Sequence, residues 1–307
     1  MNNRNKLLAA LMILQIMVIG YIYRPGKISA PPTTDLFTGL ETGAVKSLEI
    51  TDDQGKTLTL TKNQNNWSLE LEPGVPFPAD PEKIEELLKK VATLKSTRLV
   101  TRTKASHDRL EVEDNKFSRR LKIIPENSAA TTLYLGTAPN YQTIHLRNGN
   151  SDNVYLAHDF STWEVTTDHE SWWQNKYINL SPDELNKVEL QNSHGSFTLK
   201  KTENVWHTDV GQLAAAKVQD FIDQAGQILL TGVVLNKNDY PTGEPLTTLK
   251  LTTKENIIKL LIWELPGNDG EYIMKSSASP FYVEAASYGI KTLLEQKLAD
   301  LLTTPVD

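Results

Sequence analysis

Lys46 to Leu69 reads KSLEITDDQGKTLTLTKNQNNWSL, and Asn186 to Thr208 reads NKVELQNSHGSFTLKKTENVWHT. With one gap, Leu48 meets Val188, Ile50 meets Leu190, Gly55 meets Gly195, Leu58 meets Phe197, Leu60 meets Leu199 and Trp67 meets Trp206. Both stretches alternate apolar and polar residues around a central turn. Each predicts a β-hairpin followed by a strand bearing tryptophan, and together they predict an internal duplication.

The match extends outward. Asp80-Pro81 is an N-cap followed by an N1 proline, and Ile84, Leu87, Leu88, Val91 and Leu94 make one apolar helix face. Val218, Phe221, Ile222, Ala225 and Ile228 repeat that spacing. Strand-like runs follow both helices, at Thr97 to Thr101 and at Thr231 to Leu235. The alternating segments Leu121-Lys122-Ile123, Leu133-Tyr134-Leu135 and Val154-Tyr155-Leu156 then pair with Leu249-Lys250-Leu251, Leu261-Ile262-Trp263 and Phe281-Tyr282-Val283 as strands of a meander. Closing helices are expected at Asp159 to Glu170 and at Glu284 to Leu302. The expected fold class is α+β, with duplicated domains over 35–178 and 179–303. Trp172, Trp173 and Tyr177 fall at the junction, where aromatic residues bury area.

Ahead of the repeats, Leu7 to Tyr23 is an uncharged run broken by Gln15. It predicts a transmembrane anchor over 7–23, with a cytoplasmic amino terminus at 1–6 and a stiff stem at 24–34 carrying Pro25-Gly26 and Pro31-Pro32. A cleaved signal peptide is the competing reading. The run length disfavours it, and so does Pro31 directly after the one small-residue site, Ile28-Ser29-Ala30. Arg4 and Lys6 give a small positive-inside margin, so the expected location is the inner membrane, single-pass, with the body in the periplasm.

The chain has 307 residues, a net charge of −6, 39% hydrophobic residues and no cysteine. Arg4, Lys6, Arg24 and Lys27 are the only charges in residues 1–27, which leaves −10 on the rest. An acidic body disfavours nucleic acid, and the absence of cysteine excludes disulfides, thiolate metal sites and cysteine nucleophiles.

Enzyme signatures are missing. No G-x-S-x-G, P-loop, H-E-x-x-H or helix-opening G-x-G-x-x-G occurs. His158-Asp159 and Asp168-His169-Glu170 could be a metal cluster, but the ends of one helix stand about 15 Å apart. Thr51-Asp52-Asp53-Gln54-Gly55 lacks the ligand spacing of a calcium loop and reads as a hairpin turn. No catalytic, cofactor-binding or metal residue is nominated. Arg98, Arg102, Lys104, Arg109, Lys116, Arg119, Arg120 and Lys122 form the most basic stretch, suited to anionic headgroups or an acidic partner; the plainer reading is a charged surface interleaved with Asp108, Glu111, Glu113 and Asp114. Trp67 and Trp206 read as core, and Gly136 as a strand end.

The chain resembles the domain-of-unknown-function family 4340, a group of membrane-anchored bacterial proteins. The resemblance rests on Asn66-Trp67-Ser68-Leu69, Pro78-Ala79-Asp80, Ser106 to Val112, Arg119-Arg120-Leu121, Leu133 to Gly136, His145-Leu146-Arg147 and Val154-Tyr155. The second repeat departs from it, with Gln212-Leu213-Ala214 in place of Pro78-Ala79-Asp80. Proteins of this kind are often encoded beside an ATP-binding-cassette exporter and a gliding-motility-like accessory protein, so the resemblance implies an envelope transport role and no known activity. The expected function is a non-enzymatic, membrane-anchored interaction module outside the cytoplasm, held to the bilayer by one span and to a protein partner such as transporter subunits. The alternative is a binding protein for a lipid or other hydrophobic ligand held between the two domains.

Overall fold

The computed structural model describes residues 3–22, 34–36, 40–265 and 270–303. Along the chain come α1 (Asn3–Ile22), β1 (Thr34–Asp35), β2 (Val45–Asp52), β3 (Thr57–Asn63), β4 (Asn66–Glu72), β5 (Val75–Pro78), α2 (Pro81–Ala92) and β6 (Lys95–Thr101). There follow α3 (His107–Leu110), β7 (Arg119–Pro125), β8 (Thr131–Leu135), β9 (Thr143–Asn148), β10 (Val154–His158) and β11 (Lys176–Asn179). The second repeat begins with β12 (Lys187–Asn192), β13 (Gly195–Thr202), β14 (Val205–His207), α4 (Ala215–Gly226), β15 (Gln227–Leu229) and β16 (Gly232–Val234). It ends with β17 (Thr247–Thr252), β18 (Ile257–Glu264), β19 (Glu271–Ser276), β20 (Tyr282–Ala286), α5 (Ser287–Glu295) and α6 (Leu298–Leu301).

Two expectations are corrected. The fold is mostly β, built on three antiparallel sheets, and not the α+β arrangement predicted. The helix expected over Asp159 to Glu170 is replaced by single 3₁₀ turns at Thr162–Val165 and His169–Ser171, because Ser161, Thr166 and Asp168 take extended backbone that interrupts any α-helix and Asp159 ahead of them takes a left-handed φ of 56°. Glu284 belongs to β20, and the closing helical stretch is broken at Lys297, which is extended. The second correction concerns the anchor. Among the described residues no helix is long and apolar enough to cross a membrane, which removes the span predicted at 7–23. Asn3, Arg4, Asn5 and Lys6 make the first turn of α1 polar, and Gln15 interrupts the rest. Of the stem, 24–33 lie outside the described residues, and Thr34 pairs with Ser96.

The chain divides into two compact units. One comprises 1–45, 49–57 and 87–166; the other comprises 46–48, 58–86 and 167–307. In the first, antiparallel strands follow the order β1-β6-β10-β9-β8-β7. Leu121, Ile123, Leu133, Leu135, Ile144 and Leu146 alternate onto one buried face, as a period of two requires. The Asp52–Gly55 segment is the predicted hairpin turn: the Asp52 carboxylate accepts from the Gln54 and Lys56 amides at 3.1 and 2.9 Å, and Gly55 supplies a φ of 86°.

In the second unit, β14-β13-β12-β17-β18-β19-β20-β16 form an eight-stranded sheet, β11 and β15 pair as a two-stranded one, and β3, β4 and β5 are consecutive antiparallel strands. Val188, Leu190, Leu249, Leu251, Leu260 and Ile262 are buried. The helix faces read from sequence are buried, at Ile84, Leu87, Leu88 and Val91 in α2, whose residues from 87 belong to the first unit, and at Val218, Phe221, Ile222 and Ala225 in α4 of the second. Asp80 caps α2 through bonds from the Glu82 and Lys83 amides, whereas Ala214 offers α4 no side-chain cap.

The meanders run in the same order, β7-β8-β9-β10-β6 and β17-β18-β19-β20-β16. Their registers shift the predicted correspondence by one residue. Leu121 opposes Leu133, and Leu249 opposes Leu260. Leu133-Tyr134-Leu135 therefore matches Leu260-Leu261-Ile262, and Val154 matches Tyr282 rather than Phe281. The run Leu260 to Trp263 is apolar on both faces and sets no phase for an alternation argument.

Candidate functional site

The most constructed polar arrangement lies in the first unit, where segment 102–118 is held against the non-core face of the ladder. Tyr134, Arg147 and Val154 oppose one another across β8, β9 and β10 and so point to that face. Arg147 is 4% exposed. A buried guanidinium needs acceptors, and these are supplied by backbone: Nε donates to the Val112 carbonyl at 2.6 Å and Nη1 to the Ser151 carbonyl at 3.4 Å. Nη2 donates to Asp114, and the guanidinium stacks 4.3 Å from the Tyr134 ring centroid.

The hydrogen bond from Arg147 holds the Asp114 carboxyl below the usual carboxylate range, against the opposing cost of burial. Burial, with Asp114 beside it, raises the Tyr134 phenol. Leu110, Val112, Tyr134 and Val154 close a small apolar cluster there, flanked by Val100 and Phe117.

Two backbone features let the segment lie so close. Glu111 turns the chain with a φ of 55°. Gly136 ends β8 as predicted, but it also has a second role: a Cβ there would stand 1.9 Å from the Leu110 carbonyl oxygen. Only glycine admits that approach. His107, buried, is joined through Nε2 to the Asp152 carbonyl at 2.9 Å.

The basic stretch divides by partner. Lys116 pairs with Asp108, Arg119 with Asp53 and Lys122 with Glu49. Arg120 donates to the Thr51 hydroxyl and covers the Phe117 ring. Arg98 and Arg109 are exposed and make no ion pair or side-chain hydrogen bond among the described residues. His145, half-buried, shares a 2.9 Å hydrogen bond between Nδ1 and the Thr137 hydroxyl, and burial keeps its pKa below the ordinary histidine value, aided by Arg109 and Arg98.

In the second unit, Lys275 occupies the position that Arg147 holds in the first, since Leu261, Lys275 and Tyr282 oppose one another as Tyr134, Arg147 and Val154 do. Its ammonium donates to the Ser276 carbonyl at 2.9 Å and to that of Ser279, and sits 5.7 Å from the Tyr282 ring. Burial lowers its pKa. Sequence reasoning missed both cations. A cation at a buried strand position beside apolar neighbours was the available signal.

A groove of about 390 Å³ on the same unit is lined by Glu189, Gln191, Thr198 and Lys250, but Glu189 already pairs with Lys187 at 3.0 Å and lies opposite Lys250 in register. Trp172 and Trp173 are buried within the second unit, Phe77 lying 6.0 Å from Trp173 and 4.9 Å from Phe281. Tyr177 donates to the Phe281 carbonyl at 2.7 Å and accepts from the Ser276 amide at 2.8 Å. Trp67 is buried and Trp206 half-buried. Of the residues considered for a metal, His158 and Asp159 belong to the first unit, and Asp168, His169 and Glu170 to the second. Among the described residues no group of three or more histidine, cysteine or acidic side chains is placed to hold a metal.

No curated protein and no solved structure matches this chain. The family model described as a domain of unknown function, DUF4340, matches residues 70–228, just over half of the chain. That span contains α2, the Arg147 clamp and the start of the second repeat, so the chain belongs to the DUF4340 family.

Proposed function

We propose that this protein is a non-enzymatic interaction module of the bacterial envelope, working outside the cytoplasm as an accessory subunit of an ATP-binding-cassette transport assembly, with α1 as its docking helix. The observation that carries this reading is the surface of α1. Leu8, Leu11, Met12, Ile13, Leu14, Ile16, Met17, Val18 and Ile19 are each about half exposed. Their positions run all round the helix, so no single face of them is covered by the other described residues. Apolar surface of that extent marks a binding site and calls for apolar helices of a partner. The remaining polar chemistry supports a structural role, because Arg147, Lys275 and His107 spend their donors on backbone carbonyls.

The test is gentle detergent extraction of the tagged full chain, followed by mass spectrometry of components retained in near-stoichiometric amount. Transporter subunits are expected, and are expected to be lost from an Ile13→Asp, Met17→Asp double variant. Recovery of the chain alone under these conditions overturns the reading, as would turnover above a heat-treated control in a broad hydrolase screen.

A further inference from the structure

We propose that Arg98, Arg109 and His145 form a binding site for a compact oxyanion of the phosphate monoester class, on the non-core face of the first unit's ladder. The site is laid out by register. The Gly136 amide donates to the His145 carbonyl at 2.9 Å, His145 opposes Leu156, and Leu156 opposes Arg98. Directly opposed residues share a face, so Gly136, His145, Leu156 and Arg98 make one row. With strands about 4.8 Å apart, His145 and Arg98 stand roughly 10 Å from each other on either side of Leu156, within reach of an extended arginine.

Arg109 enters from α3. The neighbouring Leu110 carbonyl lies against the backbone of Gly136, at the other end of the row. The Thr137 amide donates to the Leu110 carbonyl at 2.9 Å while its hydroxyl meets His145 Nδ1 at 2.9 Å, so the end of α3 that carries Arg109 is tied to the histidine, and both arginines lower the proton affinity of His145. Thr137 engages Nδ1, so Nε2 is the nitrogen left to meet a ligand.

Charge supply makes the unpaired arginines informative. The chain has 38 acidic against 32 basic residues, and Lys116, Arg119, Lys122 and Arg147 each find a carboxylate. Arg98, Arg102, Lys104 and Arg109 find none among the described residues, and of these Arg98 stands in the His145 row and Arg109 beside Leu110, which touches it. Two arginines and a histidine brought to one end of this face match a tetrahedral dianion, which accepts from planar donors in pairs. The convergence on a recessed histidine favours a discrete anion over a flat charged surface. The matching row of the second unit, Trp263, Ile273, Glu284 and Gly232, has no cation, so the site is a property of the first repeat alone.

His145 is the reporter. The full chain in a neutral detergent, labelled at histidine, is titrated by NMR with inorganic phosphate and, separately, with chloride at matched ionic strength; His145→Gln assigns the resonance. Phosphate is expected to raise the His145 pKa saturably by about one unit, as a bound dianion outweighs the two arginines. In Arg98→Gln, Arg109→Gln the saturable rise disappears, while Arg102→Gln retains it; circular dichroism confirms that each is folded. An equal response to chloride, or none to phosphate, overturns the proposal. A second arm uses vesicles containing phosphatidic acid or phosphatidylglycerol. Binding to phosphatidic acid alone, lost in the double variant, identifies a lipid headgroup as the source; a response to free phosphate without vesicle binding identifies a soluble one. Equal binding to both vesicles shows flat charge attraction and overturns the compact site.

Discussion

Tyr134, Arg147 and Val154 stand in one row of the first ladder; Leu261, Lys275 and Tyr282 stand in the matching row of the second. Both rows keep a half-buried or buried cation, and both cations donate to backbone carbonyls. What differs is reach. Lys275 closes its own β19–β20 connection through Ser276 and Ser279, whereas Arg147 extends to Val112 and Asp114 and fixes segment 102–118. A point-charge ammonium can organise a turn, but a five-donor fork can hold a separate piece of chain. The repeats share a scaffold, and the first has used one row of it to carry an extra lobe.

The sharpest way to break this comparison is at Gly136, whose counterpart is Trp263. Gly136→Ala drives a methyl into the Leu110 carbonyl and is expected to cost about 3 kcal/mol or more. Trp263→Ala removes a half-buried ring and its 3.1 Å bond to the Gly243 carbonyl, for about 2 kcal/mol. Urea unfolding of the full chain checks both. Equal losses would mean that the close approach at Gly136 is not a constraint. Next in size is the cation pair itself. Arg147→Met leaves the Val112 and Ser151 carbonyls without their donor and is expected to cost about 2 kcal/mol. Lys275→Met, nearer to solvent, is expected to cost about 1 kcal/mol. Hydrogen exchange should show the first loss concentrated in residues 107–114 and the second near residue 279.

Much of this scaffold was readable in the sequence. The hairpins, the helix faces and the Asp80 cap follow from periodicity and local chemistry, which are properties of neighbouring residues. Register in β18 was not readable, because Leu260 to Trp263 offers apolar side chains to both faces. The expected helix at 159–170 failed on the extended backbone of Ser161, Thr166 and Asp168, and helical spacing of apolar residues does not report that. What Arg147 would hold was unreadable for another reason. Its partners are mainly carbonyls, which every residue carries, so no residue pattern marks them. Gly136 and Arg147 were both quoted among the family-like motifs, yet only the fold shows that the glycine admits the segment that the arginine then holds.

The helix starts give a smaller contrast. Asp80→Ala removes the cap of α2 and is expected to cost about 1 kcal/mol. Ala214 stands at the same place before α4 with extended backbone and no side-chain cap, so Ala214→Asp is expected to add up to about 1 kcal/mol. Thermal unfolding checks the pair, and a gain from Ala214→Asp as large as the Asp80→Ala loss would show that only the capping side chain separates the two helix starts.

The weakest contrast is in pH, and its signs are opposite. Asp114 has a lowered pKa because Arg147 bonds to it, so its contribution is complete above the unfolded value near 3.8 and is lost as pH falls through the lower folded value. Glu284, at the position of Leu156 in the first repeat, has a raised pKa, from burial first and then from Glu271 and Glu170. Its contribution is complete below the unfolded value near 4.5 and is lost as pH rises through the higher folded value. Acidification from pH 7 to about 4.5 should therefore slow exchange in β16 and β20 while leaving segment 102–118 unchanged; below pH 4 that segment should loosen. Glu284→Leu, which installs the first repeat's residue, is expected to abolish the acid gain in the second unit, and Asp114→Asn the acid loss in the first. Hydrogen exchange resolved by segment across that range decides between this and a single global transition, because a uniform response would mean that the two rows are coupled and that their different chemistry has no separate energetic consequence.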